Sequence, residues 1–442
     1  MYSETTPEHQ PATSATGPSA GSDPSQSPPP SPSKGLLKGA SLVGIGMAVM
    51  NVAAYGFTLV AVHSLAPAQF GALTALLGLV LIGNVASLGL QATGARRIAT
   101  HTGPGQAVLA DSLLKAGRVG GTWLAVLALL ATPVIILLLH IDSIVAVALL
   151  APTLGLLTVL GGQLGVLQGG EHWRELAVVY AVIGVGRLGL GGLGLLIEPT
   201  LVGAMGGIAL GAALPVMVAA FVLRGSTGAQ PGEVRQIFHE TLQGTHALAA
   251  FFVIANADVL LARALMDPDD SGRYAAGVIV AKACLFLPQF VSVVVFPSLA
   301  SDPDDSRRLR NAVKIVAGIS LIAVLGTLLL PKLVVAVVGG EQYAAIGPIA
   351  WLFAISGSAY AVLQLVVLAA IARQERFVAM VEWIGLGILT GSVLLLLAGG
   401  FAAGTAGINA LVAMTATCAV GLSIALANGV HRPLRPAPAN QL

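Results

Sequence analysis

Charged side chains lie inside two apolar stretches of the chain, on either side of a short acidic connector at 266–272. Asp258 and Arg263 belong to the first stretch and Lys282 to the second, and Arg187 lies in the middle of an earlier one. A charge within a bilayer span costs at least about 2.5–3.5 kcal/mol, so it normally faces a protein interior or a wet cavity. Arg187, Lys282 and Arg263 therefore predict a cationic lining for an anionic ligand. Structural ion pairs, such as Asp258 with Lys282, are the alternative.

The carboxylates predict different chemistry. On an ideal helix Asp258 lies about 140° from Arg263, so these two side chains do not pair with each other. We expect Asp258 to bind a coupling proton or sodium ion. Glu240 and Glu382 lie nearer the ends of their apolar stretches, and we expect them to reach water by snorkelling.

Uncharged polar side chains accompany these charges at helical spacing. Asn51 and Tyr55 share one face of the first apolar stretch, Gln289 follows Lys282 by two helical turns, and Tyr360 lies on a polar stripe of a later stretch. We include all four in the predicted substrate-binding set. The alternative is that they form hydrogen bonds between helices, which stabilise membrane bundles modestly.

The composition requires a membrane protein. The 442 residues are 56% hydrophobic and 10% charged, whereas a soluble domain carries about 25% charged residues. The sequence has no cluster of basic residues of the kind that neutralises the phosphates of nucleic acid. It also has no phosphate-binding loop and no zinc-protease motif. Cys284 and Cys418 both lie in apolar runs, which favours inert packing. We expect no enzyme activity, catalytic residue, cofactor or metal, and any pumping to draw on an ion gradient.

Twelve apolar segments exceed the about 20 residues needed to cross a bilayer, which predicts an all-α polytopic protein. The segments are 36–62, 70–95, 110–139, 143–168, 174–197, 200–223, 236–265, 272–299, 309–339, 343–371, 376–399 and 404–428.

These segments predict two six-helix halves that form a parallel pseudo-repeat, with the substrate between them near the midplane. The predicted units are a disordered tail (1–34), an N-terminal lobe (35–224), a connector (225–235), a C-terminal lobe (236–430) and a short tail (431–442). Most of the 22 Lys and Arg residues lie on one side of the predicted spans, and the other side holds only Arg263, Arg273 and Lys332. This asymmetry predicts that both termini and the connector are cytoplasmic.

Several motifs resemble those of the Wzx-type flippases of polysaccharide biosynthesis, in the multidrug/oligosaccharidyl-lipid/polysaccharide (MOP) exporter superfamily. They are Asn51-x-x-x-Tyr55, Leu65-Ala66-Pro67-x-x-Phe70-Gly71, Leu88-Gly89-Leu90-Gln91 and Ala95-Arg96-Arg97-Ile98-Ala99 in the first half, and Asn256-Ala257-Asp258-Val259-Leu260-Leu261-Ala262-Arg263, Ser271-Gly272-x-Tyr274-Ala275-Ala276 and Phe296-Pro297-x-Leu299-Ala300 in the second.

The resemblance implies two six-helix lobes around a central cavity, which opens alternately to each side of a bacterial plasma (inner) membrane. The implied substrate is a saccharide on polyprenyl pyrophosphate, moved from the cytoplasmic to the outer leaflet for cell-surface polysaccharide or lipopolysaccharide synthesis. The motifs carry over Asp258, Arg263 and Lys282 as site positions, and membrane lipids and a glycan polymerase or wall-synthesis proteins as partners.

Three other functions compete with flipping. A drug or small-cation exporter of the same fold would need an anionic cavity. A membrane glycosyltransferase or polymerase would place acidic residues in long outer loops, whereas the loops here are short. A transport-inactive scaffold for wall synthesis would need neither Arg187 nor Lys282.

Overall fold

The computed structural model describes residues 34–225, 234–286, 306–372, 377–398 and 404–430, and within these ranges it is all-α. The first half contains α1 (Lys34–Ser64), α2 (Pro67–Gly83), α3 (Val85–Ala99), α4 (Pro104–Leu139), α5 (Ile144–Ala148), α6 (Leu150–Gly169), α7 (Trp173–Ile197) and α8 (Leu201–Val222). The second half contains α9 (Val234–Gly244), α10 (His246–Leu265), α11 (Pro268–Phe286), α12 (Ser306–Leu329), α13 (Pro331–Val338), α14 (Ala350–Ala372), α15 (Phe377–Ala398) and α16 (Gly404–Val430). Short 3₁₀ turns cover Leu223–Gly225 and Gly340–Ile349.

Among the described residues, ten helical stretches are long and apolar enough to span a membrane, and each coincides with one of the twelve predicted segments. The other two predicted segments contain α11 and α15, which are not among these ten stretches. The segment 272–299 begins as α11, and its part beyond Phe286 lies outside the described residues. The segment 376–399 is α15, whose apolar stretch covers Met380–Leu395. The multi-pass, all-α prediction is confirmed.

Four predicted spans break into two α-helices. The second breaks at Asn84, between α2 and α3. The fourth breaks at Leu149, between α5 and α6. The ninth breaks at Leu330, before Pro331 starts α13 with the fixed φ that suits a first helical position. The seventh, predicted as one span over 236–265, divides at Thr245 into α9 and α10. The prediction of a single seventh span was wrong, because α9 is an amphipathic helix with one polar and one apolar face and lies against α3 and α4.

Each half of the chain packs mainly on itself. In the N-terminal lobe α1 packs against α7, α7 against α8, and α6 against both α3 and α4. In the C-terminal lobe α14 packs against α11, α12 and α16, while α10 packs against α15. Glycine allows the closest approaches. A Cβ at Gly211 of α8 would lie 2.6 Å from the carbonyl oxygen of Gly186 on α7, so small residues set this helix pair.

The two lobes meet where α2 crosses α10 and α11. We call the end of the bundle that carries Arg96, Arg97 and α9 the basic end, and the opposite end, at Ala66, His140 and Asp267, the far end. At the far end the starts of α2 and α11 touch. A Cβ at Gly71 would lie 2.7 Å from Ser271 Oγ and 2.8 Å from the Gly272 nitrogen. The lobes are therefore closed against each other at this end.

Candidate functional site

Arg187 lies on α7 and turns its guanidinium towards α1. The guanidinium carbon lies 5.6 Å from the centre of the Phe57 ring, a cation–π contact with a ring that is fully buried. The Nε–H of Arg187 is buried and has no hydrogen-bond partner among the described residues. No carboxylate of the described residues lies within ion-pair distance of this guanidinium. Arg187 is therefore a half-buried cation whose guanidinium is held by an aromatic face.

Lys282 lies on α11, in the other lobe. Its Nζ donates a hydrogen bond to Asn256 Oδ1 on α10, at 3.3 Å. It is within electrostatic range of both Asp258 and Arg187, but the described residues give it no carboxylate within ion-pair distance. The structure thus brings two of the predicted cations near each other from different lobes. The alternative of a contact ion pair between Asp258 and Lys282 does not hold here.

Asp258 is 7% exposed on α10. Its Oδ2 accepts a hydrogen bond from the Tyr274 hydroxyl at 3.1 Å, while its Oδ1 has no partner among the described residues. Tyr274 is held in place by an edge contact with Phe353, with ring centres 5.3 Å apart. One carboxylate oxygen is therefore fixed and the other is left to accept a cation or a proton.

The remaining predicted ligands differ in their surroundings. Asn51 and Tyr55 are half-buried on α1, and Tyr55 lies within electrostatic range of Cys284 on α11 across the lobe junction. Tyr360 is buried and donates to the carbonyl oxygen of Ile254 at 3.1 Å, as the interhelical alternative expects. Gln289 lies outside the described residues.

Arg263 forms a clasp between the lobes at the far end. It is 6% exposed and donates from Nε to the Leu139 carbonyl (2.9 Å), from Nη2 to the His140 carbonyl (2.8 Å) and from Nη1 to the Ala68 carbonyl (3.2 Å). A fourth bond joins Nη1 to Ser271 Oγ at 3.2 Å.

The clasp follows from how α4 ends. His140 has φ 48°, a left-handed conformation that stops the helix and leaves its last carbonyls without helical partners. A guanidinium suits such a C-terminus because it supplies donors and complements the helix dipole. Four of the five N–H donors of Arg263 are used in this way, so its predicted role in ligand binding requires a conformation in which the clasp is open. Beside it lies a pocket of about 410 Å³, lined by His140, Arg263, Ala264, Leu265, Met266, Asp267 and Pro268.

Both glutamates that were expected to snorkel behave differently. Glu240 on α9 forms ion pairs with Arg97 and Arg96 at the end of α3, with Arg97 Nε to Glu240 Oε2 at 2.9 Å. The hydrogen bond from Arg97, and then the charges of both arginines, lower the pKa of the Glu240 carboxyl below its ordinary value. Glu382 is fully buried, so the snorkelling prediction for it was wrong.

A pattern in the sequence does indicate that Glu382 is buried. It falls on the stripe formed by Val378, Gly385 and Leu389, at spacings of four, three and four residues. That periodicity marks the face of a helix that packs inward. Distance from the helix end, which suggested snorkelling, was the weaker criterion.

No protein-family model matches this sequence, and no curated protein matches it. Several solved structures are similar. An inward-facing multidrug resistance MATE family transporter of the MOP superfamily is similar with a TM-score of 0.63 at 14% identity, covering 88% of this chain and 97% of that one. The lipid II flippase MurJ in an inward closed conformation gives a TM-score of 0.68 at 11% identity, covering 89% and 88%. A MOP superfamily transporter from Pyrococcus furiosus has a TM-score of 0.59 at 13% identity, and the match covers 90% of this chain and 95% of that one.

This likeness shows the fold: the chain is folded as MOP-superfamily transporters are, which confirms the predicted fold class. The neighbours are transporters and a flippase rather than enzymes.

Proposed function

We propose that this protein moves a lipid-linked anionic saccharide across a membrane by alternating access of its two lobes. The observation that carries the proposal is the pair Arg187 and Lys282. The pair is contributed by α7 and α11 from opposite lobes, and neither has a carboxylate partner among the described residues. Two nearby half-buried cations repel each other, so an anion that binds near both offsets a cost that the empty protein bears.

The ligand chemistry that suits such a pair is a phosphate or pyrophosphate. A guanidinium binds phosphate oxygens through paired N–H donors, and an ammonium adds a compact charge. Arg187 keeps a buried Nε–H without a partner, which a phosphate oxygen would accept. A polyprenyl pyrophosphate carrying a saccharide has this headgroup, and a lipid-linked substrate is also named for the flippase neighbour. Asn51 and Tyr55 are half-buried on α1 and would contact the sugar.

The direction of transport follows from the predicted topology. The basic end would be cytoplasmic in a bacterial plasma membrane, so the closed far end would face outward. Substrate would then enter from the cytoplasmic leaflet and leave when the Arg263 clasp opens. A cation on the free oxygen of Asp258 would couple the cycle to an ion gradient. The wider role would be cell-surface polysaccharide synthesis, as in Wzx-type flippases.

A drug exporter of the same fold is the second candidate, and one observation favours it. Asp258 leaves a carboxylate oxygen free beside Tyr274, an arrangement that also accepts an organic cation. The nearby positive charge of Lys282 opposes such a ligand, so we rank this function second.

Leaflet exchange of a fluorescent polyprenyl-pyrophosphate saccharide in proteoliposomes tests the first proposal. Because a hydrogen bond to a charged group is worth about 1.5–3 kcal/mol, we expect Arg187→Ala and Lys282→Ala each to slow exchange by about tenfold to a hundredfold. Lys332→Ala removes an exposed lysine of α13 and serves as the matched control, with no effect expected. Wild-type protein that exchanges an organic cation but not the saccharide would favour the second candidate. Wild-type protein that exchanges neither would favour the scaffold.

A further inference from the structure

Glu382 lies at the centre of a helix contact in the C-terminal lobe. It is on the buried stripe of α15 with Val378 and Leu389, and its own exposure is 0%. Helix α15 packs against α10 on one side and α16 on the other. The position is about one and a half turns from the basic end of α15. A carboxyl group is therefore enclosed between three helices.

No group in the described part of the chain neutralises this carboxyl. Neither of its oxygens has a hydrogen-bond partner there, and no cation lies within ion-pair distance. The titratable and charged groups on the helices packed against α15 are otherwise placed. On α10, His246 is exposed, Asp258 accepts from Tyr274, and Arg263 is in the clasp. On α16, Cys418 donates to the carbonyl of Gly385, and on α14, Tyr360 donates to Ile254.

Electrostatics then restricts the protonation state of Glu382 and the ligands that it can bind. A buried carboxylate without a partner costs several kcal/mol or more, and such a group takes up a proton instead. A hard metal cation would need several oxygen ligands around it. Among the described residues no group of three or more His, Cys, Asp or Glu side chains could hold a metal ion, and none donates a hydrogen bond to Glu382. The ligand that fits a lone carboxyl is a single proton.

We propose that Glu382 is a proton-binding site of the C-terminal lobe, separate from Asp258. In this conformation the carboxyl carries one proton taken from the aqueous phase. Movement of α15 relative to α10 and α16 that admits water would return that proton to solvent. Proton binding is thereby linked to the packing of this lobe, whatever substrate the protein carries.

Labelling by a hydrophobic carbodiimide tests the site, because this reagent modifies protonated carboxyl groups in apolar surroundings. The full-length protein in lipid nanodiscs is treated at neutral pH with dicyclohexylcarbodiimide, and in parallel with a water-soluble carbodiimide. Peptide mass spectrometry locates the adducts. We expect an adduct on Glu382 from the hydrophobic reagent only. Exposed Glu198, which directly follows α7, is the internal control, with the opposite preference expected.

Infrared spectroscopy provides a second readout that needs no reagent access. We expect wild-type protein to show a protonated-carboxyl C=O band at neutral pH that is lost in Glu382→Gln and retained in Asp258→Asn and Glu198→Gln. Glu382→Gln keeps the shape of the neutral acid and should elute and melt as the wild type does. The proposal is overturned if Glu382 reacts only with the water-soluble reagent, or if the band is absent or disappears only in Asp258→Asn. Neither measurement depends on transport, so the result stands apart from the proposed function.

Discussion

Removal of the Arg263 clasp should open the far end of the protein. Arg263→Ala deletes hydrogen bonds to the carbonyl groups of Ala68, Leu139 and His140, all in the opposite lobe. Even at about 1 kcal/mol for each bond, below the about 1.5–3 kcal/mol of a bond to a charged group, the closed state loses about 3 kcal/mol relative to an open state in which water solvates these carbonyls. That difference raises the open population by at least about a hundredfold. Arg263→Lys retains the charge with fewer donors, so we expect a smaller increase.

The assay needs a probe that is covered only in the closed state. Ala275 is 1% exposed on α11, one turn below Gly272 and on the face that meets α2. In a protein with Cys284→Ser and Cys418→Ser, Ala275→Cys supplies the single thiol. A membrane-impermeant maleimide is added to the far side of oriented membranes, and the labelling rate is measured.

We expect Arg263→Ala to raise the labelling rate by about a hundredfold or more. Arg273→Ala is the matched control. Arg273 lies at the same end, but its Nη1 pairs with Asp270 Oδ1 within its own helix at 2.7 Å. An unchanged rate in a folded Arg263→Ala protein, or an equal increase in Arg273→Ala, would refute the clasp as the closing element.

Three further predictions follow from other contacts. Pairing with Arg97 lowers the pKa of Glu240, so the stabilisation it gives is present above the ordinary carboxyl pKa of 4.5 and is lost as the pH falls through the lowered value. In thermal unfolding at low salt, the melting temperature of Glu240→Gln should therefore decline less in acid than that of the wild type. An equal decline would contradict this. Gly272→Leu places a side chain against the Pro67 carbonyl, so we expect about 1–3 kcal/mol of overpacking strain to speed far-side labelling of the same thiol, whereas a slower rate would mean that the start of α11 does not close the junction. Asp258→Asn should keep the leaflet exchange that occurs without an ion gradient but abolish the acceleration that a gradient produces. Undiminished acceleration would show that Asp258 has no role in coupling.

The sequence predicted the fold class because a bilayer imposes simple rules. Apolar segments of spanning length must form helices, and every described predicted segment contains one. The sequence also predicted that Arg187, Lys282 and Asp258 turn towards the protein interior, since a charge in the middle of an apolar run has nowhere else polar to go. In the structure Asp258 is buried and the two cations are half-buried. It misjudged the seventh span, where the periodic polar face of α9 was read as part of α10.

Only the tertiary structure decided which partner each charge has. Arg263 and Lys282 look alike in sequence as cations in consecutive apolar segments. The left-handed end of α4 at His140 brings free carbonyls to Arg263. Among the described residues, Lys282 has a hydrogen bond only to the side chain of Asn256. Glu382 looks like a terminal glutamate until α10 and α16 enclose it. Membrane insertion depends on the summed hydrophobicity of one segment, which is local in sequence. The environment of a side chain depends on which other segments pack around it, and that is set by contacts between residues far apart in the chain.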